Sequence, residues 1–292
     1  MSSITKTTGN GGLEKIVIDH PAAEGEIYLH GAHVTHWKPT GTEAVIWMSP
    51  QAFFKPGTPI RGGVPICLPW FGPHPAAGAA APAHGLVRTK AWELVDTNES
   101  PLGVSVRLRT TITADESPHW THPFTAEFTA TFGRTFSMTL AVTNTGENAF
   151  DFTEALHTYF RVHDVRQISV GGLKGVTFID KKDNYARREE TREGITLTEE
   201  TDRVYINTED ATVVEDTHLG RRIVVEKDGS QSTVIWNPFP EKAKAQADIG
   251  EANWPGFVCV ESANCADNTI NLPAGETHKI TVGLRLEPIE NA

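Results

Sequence analysis

The sequence has no surplus of positive charge: 26 Lys and Arg stand against 37 Asp and Glu, for a formal net charge of −11. A general nucleic-acid binder needs a basic surface to neutralise phosphates, so that class is excluded. An anionic small molecule is not, because a few local arginines act at short range whatever the distant surface carries. Long hydrophobic runs are also missing. No stretch approaches the roughly 18 consecutive apolar residues of a spanning helix, and the opening MSSITKTTGNGGLEK lacks the apolar core of a secretory signal. Cysteine is scarce, with only Cys67, Cys259 and Cys265 and no CxxC pair. A disulfide framework or thiolate metal site is therefore not expected, and a reducing cytoplasm is the default location. Phosphate-loop and dinucleotide fingerprints are absent too.

What is there is alternation. Hydrophobic residues make up 39% and charged residues 22% of 292 positions, enough to bury a sizeable core. Leu13 to Asp19 and Glu26 to Trp37 read as strands. His30, His33 and His36 recur within the second, but a strand turns His33 away from the other two, so structural histidines are expected there rather than a metal site. Val104 to Ile112, Phe124 to Phe132 and Phe136 to Val142 alternate strongly, as half-buried antiparallel strands do. Between them lie the Gly- and Pro-rich run Ile60 to Gly72, too apolar for a solvated loop, and an Ala/Pro/Gly-rich surface loop, Pro73 to Ala83. Lys181-Lys182-Asp183 and Arg187-Arg188-Glu189-Glu190 read as a solvated connection. Further strands follow at Val204–Ile206, Ile223–Glu226, Ser232–Trp236, Phe257–Val260 and His278–Leu286, with one short helix within Pro238 to Asp248. No repeat or linker divides the chain, so one all-β domain over residues 1–292, a large antiparallel β-sandwich, is expected.

Two segments carry candidate chemistry. In Thr153 to Val162 a period of two separates apolar Leu156, Phe160 and Val162 from Ala155, His157, Tyr159 and Arg161. His157 is either a satisfied core histidine or a group facing a polar groove. In Phe257 to Asn264, Glu261 shares a face with Phe257 and Cys259. A carboxylate ending an apolar strand must be paired, exposed or functional. Arg61 and Arg88 each sit beside glycines. They suit either a surface ion pair or bidentate binding of a phosphate.

Six motifs then resemble one family. Ile60-Arg61-Gly62-Gly63 through Trp70-Phe71-Gly72, His84-Gly85-Leu86-Val87-Arg88, Ala155-Leu156-His157-Thr158-Tyr159-Phe160, Thr201-Asp202-Arg203-Val204-Tyr205, Trp236-Asn237-Pro238 and Cys259-Val260-Glu261-Ser262-Ala263-Asn264 occur in family order over about residues 26–286. Together they resemble the D-hexose-6-phosphate mutarotases, the glucose-6-phosphate 1-epimerase branch of the aldose 1-epimerases. The resemblance implies a galactose-mutarotase-type sandwich that interconverts sugar-phosphate anomers. It implies His157 as general acid, Glu261 as general base, and Arg61, Arg88 and Asp202 as substrate-binding, the arginines serving the phosphate. One departure is Ala83, where the family carries a sugar-binding Gln; His84 or a neighbouring loop would have to replace that hydrogen bond.

Anomer exchange needs only proton transfers, which a carboxylate near pKa ~4.3 and an imidazole near ~6.5 supply without large tuning. No cofactor or metal is implied, and the expected partner is a small sugar phosphate, with neither nucleic acid nor membrane, bound by a monomer. Two alternatives remain open. One is a non-catalytic sugar-binding protein of the same fold. The other is a glycoside hydrolase, which would need Glu154 or Asp202 as a second acid, although Glu154 points away from His157 on its strand.

Overall fold

The computed structural model describes residues 3–289, so both ends of the expected 1–292 span lie outside it. Two large antiparallel sheets dominate. One runs, edge to edge, through Ala186–Glu189, Thr177–Asp180, Thr201–Ile206, Ser232–Asn237, Phe257–Asn264, Glu154–Leu156 and Ile66–Cys67, with Tyr159–Arg161 also pairing to Phe257–Asn264. The other has nine strands, from Gly194–Ile195 at one edge to the hairpin Gly103–Ile112 and Glu93–Ser100 at the other. A smaller four-stranded sheet is formed by Ile4–Thr8, Glu14–His20, Ala23–Tyr28 and His33–Pro39.

The alternation read from the sequence is what joins the two large sheets. Val104, Val106 and Leu108, then Phe124, Phe128 and Phe132, then Met138, Leu140 and Val142 turn inward. They meet Leu156, Phe160, Val258, Val260 and Ile235 from the opposing sheet in one hydrophobic core. Each such side chain removed from water contributes about 1.5–3 kcal/mol, which is why strand register is fixed by the pattern. Trp37 reaches in from the smaller sheet, fully buried, and its indole N–H donates to the Gly133 carbonyl at 3.0 Å.

Two local expectations are corrected. Glu26 to Trp37 is not one strand but two, reversed at Gly31 and Ala32, both at positive φ. The histidines within it are structural nonetheless: His30 and His33 donate to the carbonyls of Thr58 at 2.9 Å and Gly62 at 2.8 Å, and burial pushes His33 down to about 3. The segment read as a solvated connection is a hairpin, Thr177–Asp180 with Ala186–Glu189, at the edge of the first large sheet. Mixed charge there reflects an exposed edge rather than the lack of a strand. The short helix is present as Phe239–Lys244.

Glu154 faces away from His157, as alternation required, and is fully buried. It accepts from Asn264 Nδ2 at 2.9 Å and lies 3.0 Å from His278 Nε2. Burial pulls the His278 imidazole down, but the Glu154 carboxylate and the Gly229 carbonyl outweigh it and leave the group above its ordinary value. A raised folded-state pKa stabilises fully below the unfolded value and is lost as pH climbs through the folded one. The stability gap between wild type and His278→Gln should therefore shrink as pH rises above roughly 6.5 in urea unfolding. A gap that is constant or widens with pH would show that the Glu154–His278 pair does not act this way.

Candidate active site

The outer face of the first large sheet carries a cleft of about 700 Å³. It brings together all six residues singled out from the sequence: Arg61, His84, Arg88, His157, Asp202 and Glu261. Glu261 lies in the middle of Phe257–Asn264, opposite Val234 on the neighbouring strand. On its other side the partner strand is interrupted. Glu154–Leu156 ends and Tyr159–Arg161 begins two residues later, with Leu156 paired to Ser262 and Tyr159 to Cys259. The break sets His157 beside Glu261.

The Gly- and Pro-rich run holds this break open. His157 N–H donates to the Pro65 carbonyl and Tyr159 N–H to the Gly63 carbonyl, both at 3.0 Å. The run is thus a substitute strand whose irregular backbone lets an imidazole emerge where a ladder would have continued. His84 arrives on a second irregular segment, itself at positive φ, with its Nδ1 accepting from Gly72 N–H at 3.2 Å. Gly85 follows at φ +78°, where an added Cβ would sit 2.0 Å from the Leu68 carbonyl oxygen. Only glycine allows that close approach.

At the cleft floor His157 Nε2 lies 3.3 Å from Glu261 Oε1. Tyr159 stacks on the imidazole at 5.0 Å between centroids, and Trp236 and His84 meet it edge-on at 5.9 and 5.7 Å. His157 Nδ1 and Glu261 Oε2 are both buried and carry no hydrogen bond. Burial drives the carboxyl well above its ordinary range, against the pull of Lys181 and with the push of Asp202. Burial, then the charges of Arg61 and Arg88, drive the imidazole well below its own. The expectation that neither group needs large tuning is therefore corrected: the dehydrated floor favours the neutral form of each. Cys259 brings a third donor atom, all three lying within 4.8 Å of one another. Burial pushes its thiol well up, so a metal would first have to displace that proton.

The walls are cationic. Arg61, Arg88, Lys181, Lys182 and Lys242 line the cleft against Asp202, Asp248 and Glu261, the reverse of the balance over the whole chain. Arg61 is pinned: its Nε donates to Asp248 at 3.0 Å and its Nη1 to the Tyr159 hydroxyl at 3.0 Å. Arg88 donates to the Ala83 carbonyl at 2.6 Å, and among the described residues it has no carboxylate within ion-pair distance. The backbone at Ala83 thus steers an arginine. Asp202 lies 3.1 Å from Lys181 Nζ, which also sits 4.8 Å over the Phe71 ring. Sequence reasoning placed Tyr159 on the same face as His157 and missed Lys181, Trp236 and Asp248 as cleft residues, because these depended on which strands become neighbours.

A sandwich whose outer sheet face presents an imidazole and a carboxylate in one sugar-sized cleft defines a class. The chain belongs to the aldose 1-epimerase family, which matches residues 14–285, and is an isomerase of that type. Within that class, it is 40% identical over 270 residues to an Escherichia coli protein provisionally named glucose-6-phosphate 1-epimerase, covering 92% of this chain and 86% of that one. A protein from Cenchrus ciliaris with the same provisional name is 33% identical over 95% of this chain and 86% of its own length. Among solved structures, a provisionally named mutarotase from Salmonella typhimurium superposes with a TM-score of 0.90 at 34% identity, covering 98% of this chain and 94% of that one. Galactose 1-epimerase from Lactobacillus acidophilus, at 12% identity, shares the fold with a TM-score of 0.74 and 98% coverage of both chains.

Lys181 and Asp202 act on Glu261 with opposite sign, so each can be read separately. Lys181→Met should move the Glu261 carboxyl titration upward and Asp202→Asn should move it downward, followed by carbon-13 NMR of the labelled side chain. Shifts of the same sign in both variants would refute this electrostatic assignment.

Proposed function

We propose that the protein interconverts the α and β anomers of glucose 6-phosphate, with Glu261 and His157 as the proton-transfer pair. The observation that carries this reading is the 3.3 Å contact between them at the floor of a cationic cleft. Names carried by relatives at 40% and 33% identity support the substrate class.

The pair needs to hold one proton. With the closed ring bound, Glu261 as carboxylate takes the proton from the C1 hydroxyl while His157 as imidazolium protonates the ring oxygen. The C1–O5 bond breaks, C1 becomes an aldehyde, and the pair is left as carboxylic acid and neutral imidazole. Rotation about C1–C2 followed by closure on the other carbonyl face returns both protons. The dehydrated floor favours the neutral pair, which is the state that accompanies the open chain. Burial thereby makes the charged pair that begins the step costly to form and draws the proton transfers forward once it has formed. Positioned acid–base groups of this kind contribute roughly 10²–10⁴-fold each.

Arg88, lacking a carboxylate partner, is the main phosphate anchor in this reading, and Arg61 a second cation restrained by Asp248. Asp202 and Lys181 hold each other at the wall near Glu261. His84 packs on His157 and fixes its ring plane. Glu154 is committed to Asn264 and His278, so it does not serve as the second acid of a glycoside hydrolase.

Polarimetry of freshly dissolved α-glucose 6-phosphate tests the reaction. Glu261→Gln and His157→Ala should each lower kcat by roughly 10²-fold or more while far-UV circular dichroism stays unchanged. Near-full rates in either variant would remove that residue from the mechanism, and no acceleration by wild type would leave a sugar-binding protein.

The anchor is tested by substrate comparison. Arg88→Ala should raise KM for glucose 6-phosphate about ten- to a hundredfold, as expected for losing hydrogen bonds to a charged group. Arg61→Ala should raise it less, and KM for glucose should change little in either. Equal effects on both sugars would show that the arginines do not read the phosphate.

A further inference from the structure

The hairpin at the edge of the cleft sheet closes with a turn that its sequence does not suit. Ala186 N–H donates to the Asp183 carbonyl at 2.8 Å, and the two residues between them, Asn184 and Tyr185, have φ of +48° and +60°. Two successive left-handed residues make a type I′ turn, whose second position ordinarily takes glycine. Asparagine tolerates the conformation; a bulky aromatic residue does so at a cost.

No packing in the folded chain explains that choice. Tyr185 is 66% exposed, among the most exposed of the large hydrophobic side chains. Among the described residues, no hydrogen bond or ring contact holds its side chain. It nevertheless lines the cleft, on the same wall as Lys181 and Lys182.

The hairpin beneath it is fastened on several sides. Lys181 pairs with Asp202 at 3.1 Å and Lys182 with Glu200 at 2.8 Å. Arg187 grips Asp267 through two bonds of 2.6 Å, and Arg188 pairs with Asp183 next to the turn. A strained, uncovered aromatic ring on a braced turn over a ligand cleft is the arrangement of a contact made only when the ligand is present.

We propose that Tyr185 is a sugar platform at the cleft mouth: the apolar face of the bound hexopyranose packs on its ring, making it a specificity-determining residue. The inference rests on the reading of the cleft as a hexose 6-phosphate site. A pyranose whose hydroxyls are equatorial presents a face of axial C–H bonds, which matches a flat aromatic surface. The face carrying the axial C2 and C4 hydrogens is untouched by the C1 hydroxyl of either anomer but is interrupted by the axial C4 hydroxyl of the galacto epimer, so a platform against that face favours the gluco configuration.

The test is steady-state anomer exchange with glucose 6-phosphate and galactose 6-phosphate, with thermal unfolding of each variant as a check on folding. Tyr185→Ala should raise KM for glucose 6-phosphate about tenfold, the scale of one aromatic contact, and leave kcat within about twofold. The preference for the gluco over the galacto substrate should shrink in parallel, and Tyr185→Trp should restore both. Tyr185→Gly should raise Tm, because glycine suits the turn, yet match the alanine variant in KM. If the alanine variant keeps KM within about twofold of wild type, the platform is overturned and the anomerase reading stands. If wild type accelerates neither hexose 6-phosphate, the reading beneath the platform fails with it.

Discussion

An imidazole and a carboxylate share a floor from which water is largely withdrawn, 3.3 Å apart, the carboxylate on a strand and the imidazole in the break beside it. Either group buried alone as an ion would cost several kcal/mol, so burial holds each toward its neutral form, and the charges around them set the rest of the balance. Much of the local architecture answers that constraint. The strand break that exposes His157 would leave backbone groups unmet had the run Ile60 to Gly72 not supplied the Pro65 and Gly63 carbonyls. That same run delivers Arg61, whose bond to the Tyr159 hydroxyl fixes the ring stacked on His157.

The structure contains a second histidine–glutamate pair, and the contrast is instructive. Glu154 and His157, three positions apart in the chain, point in opposite directions, one into the interior and one into the cleft. His278 donates a hydrogen bond to Glu154 while remaining partly exposed, and its imidazole is held above the ordinary value. His157 has a carboxylate almost as close, yet full burial and two guanidinium groups hold it below. Proximity to an acid therefore does not decide the charge state of a histidine. Desolvation and the wider field do.

Charge is also divided by scale. The chain as a whole is acidic, while the cleft is lined mainly by cations, four of which are already engaged by Asp202, Asp248 or Glu200. Pairing keeps these side chains ordered and lowers their net pull on an anion. Arg88, steered by the Ala83 carbonyl rather than neutralised by a carboxylate, keeps its full charge for a ligand. In the proposed reaction that division separates anchoring from chemistry.

The sequence by itself determined the sandwich, because period-two alternation over long segments assigns each side chain to a face and so joins the sheets through one core. It also determined His157 and Glu261 as a pair worth joining, since the motifs around them are local and in family order. It did not determine that Lys181 belongs to the site. The residues around it read as solvated charge, and only strand order beside Thr201–Ile206 turns that hairpin edge into a cleft wall. The reversal at Gly31 was equally hidden, because apolar alternation continues on both sides of the turn. The protonation states of His157 and Glu261 lay beyond the sequence altogether. They arise from desolvation and from charges on distant segments, and such a field exists only once the chain has folded.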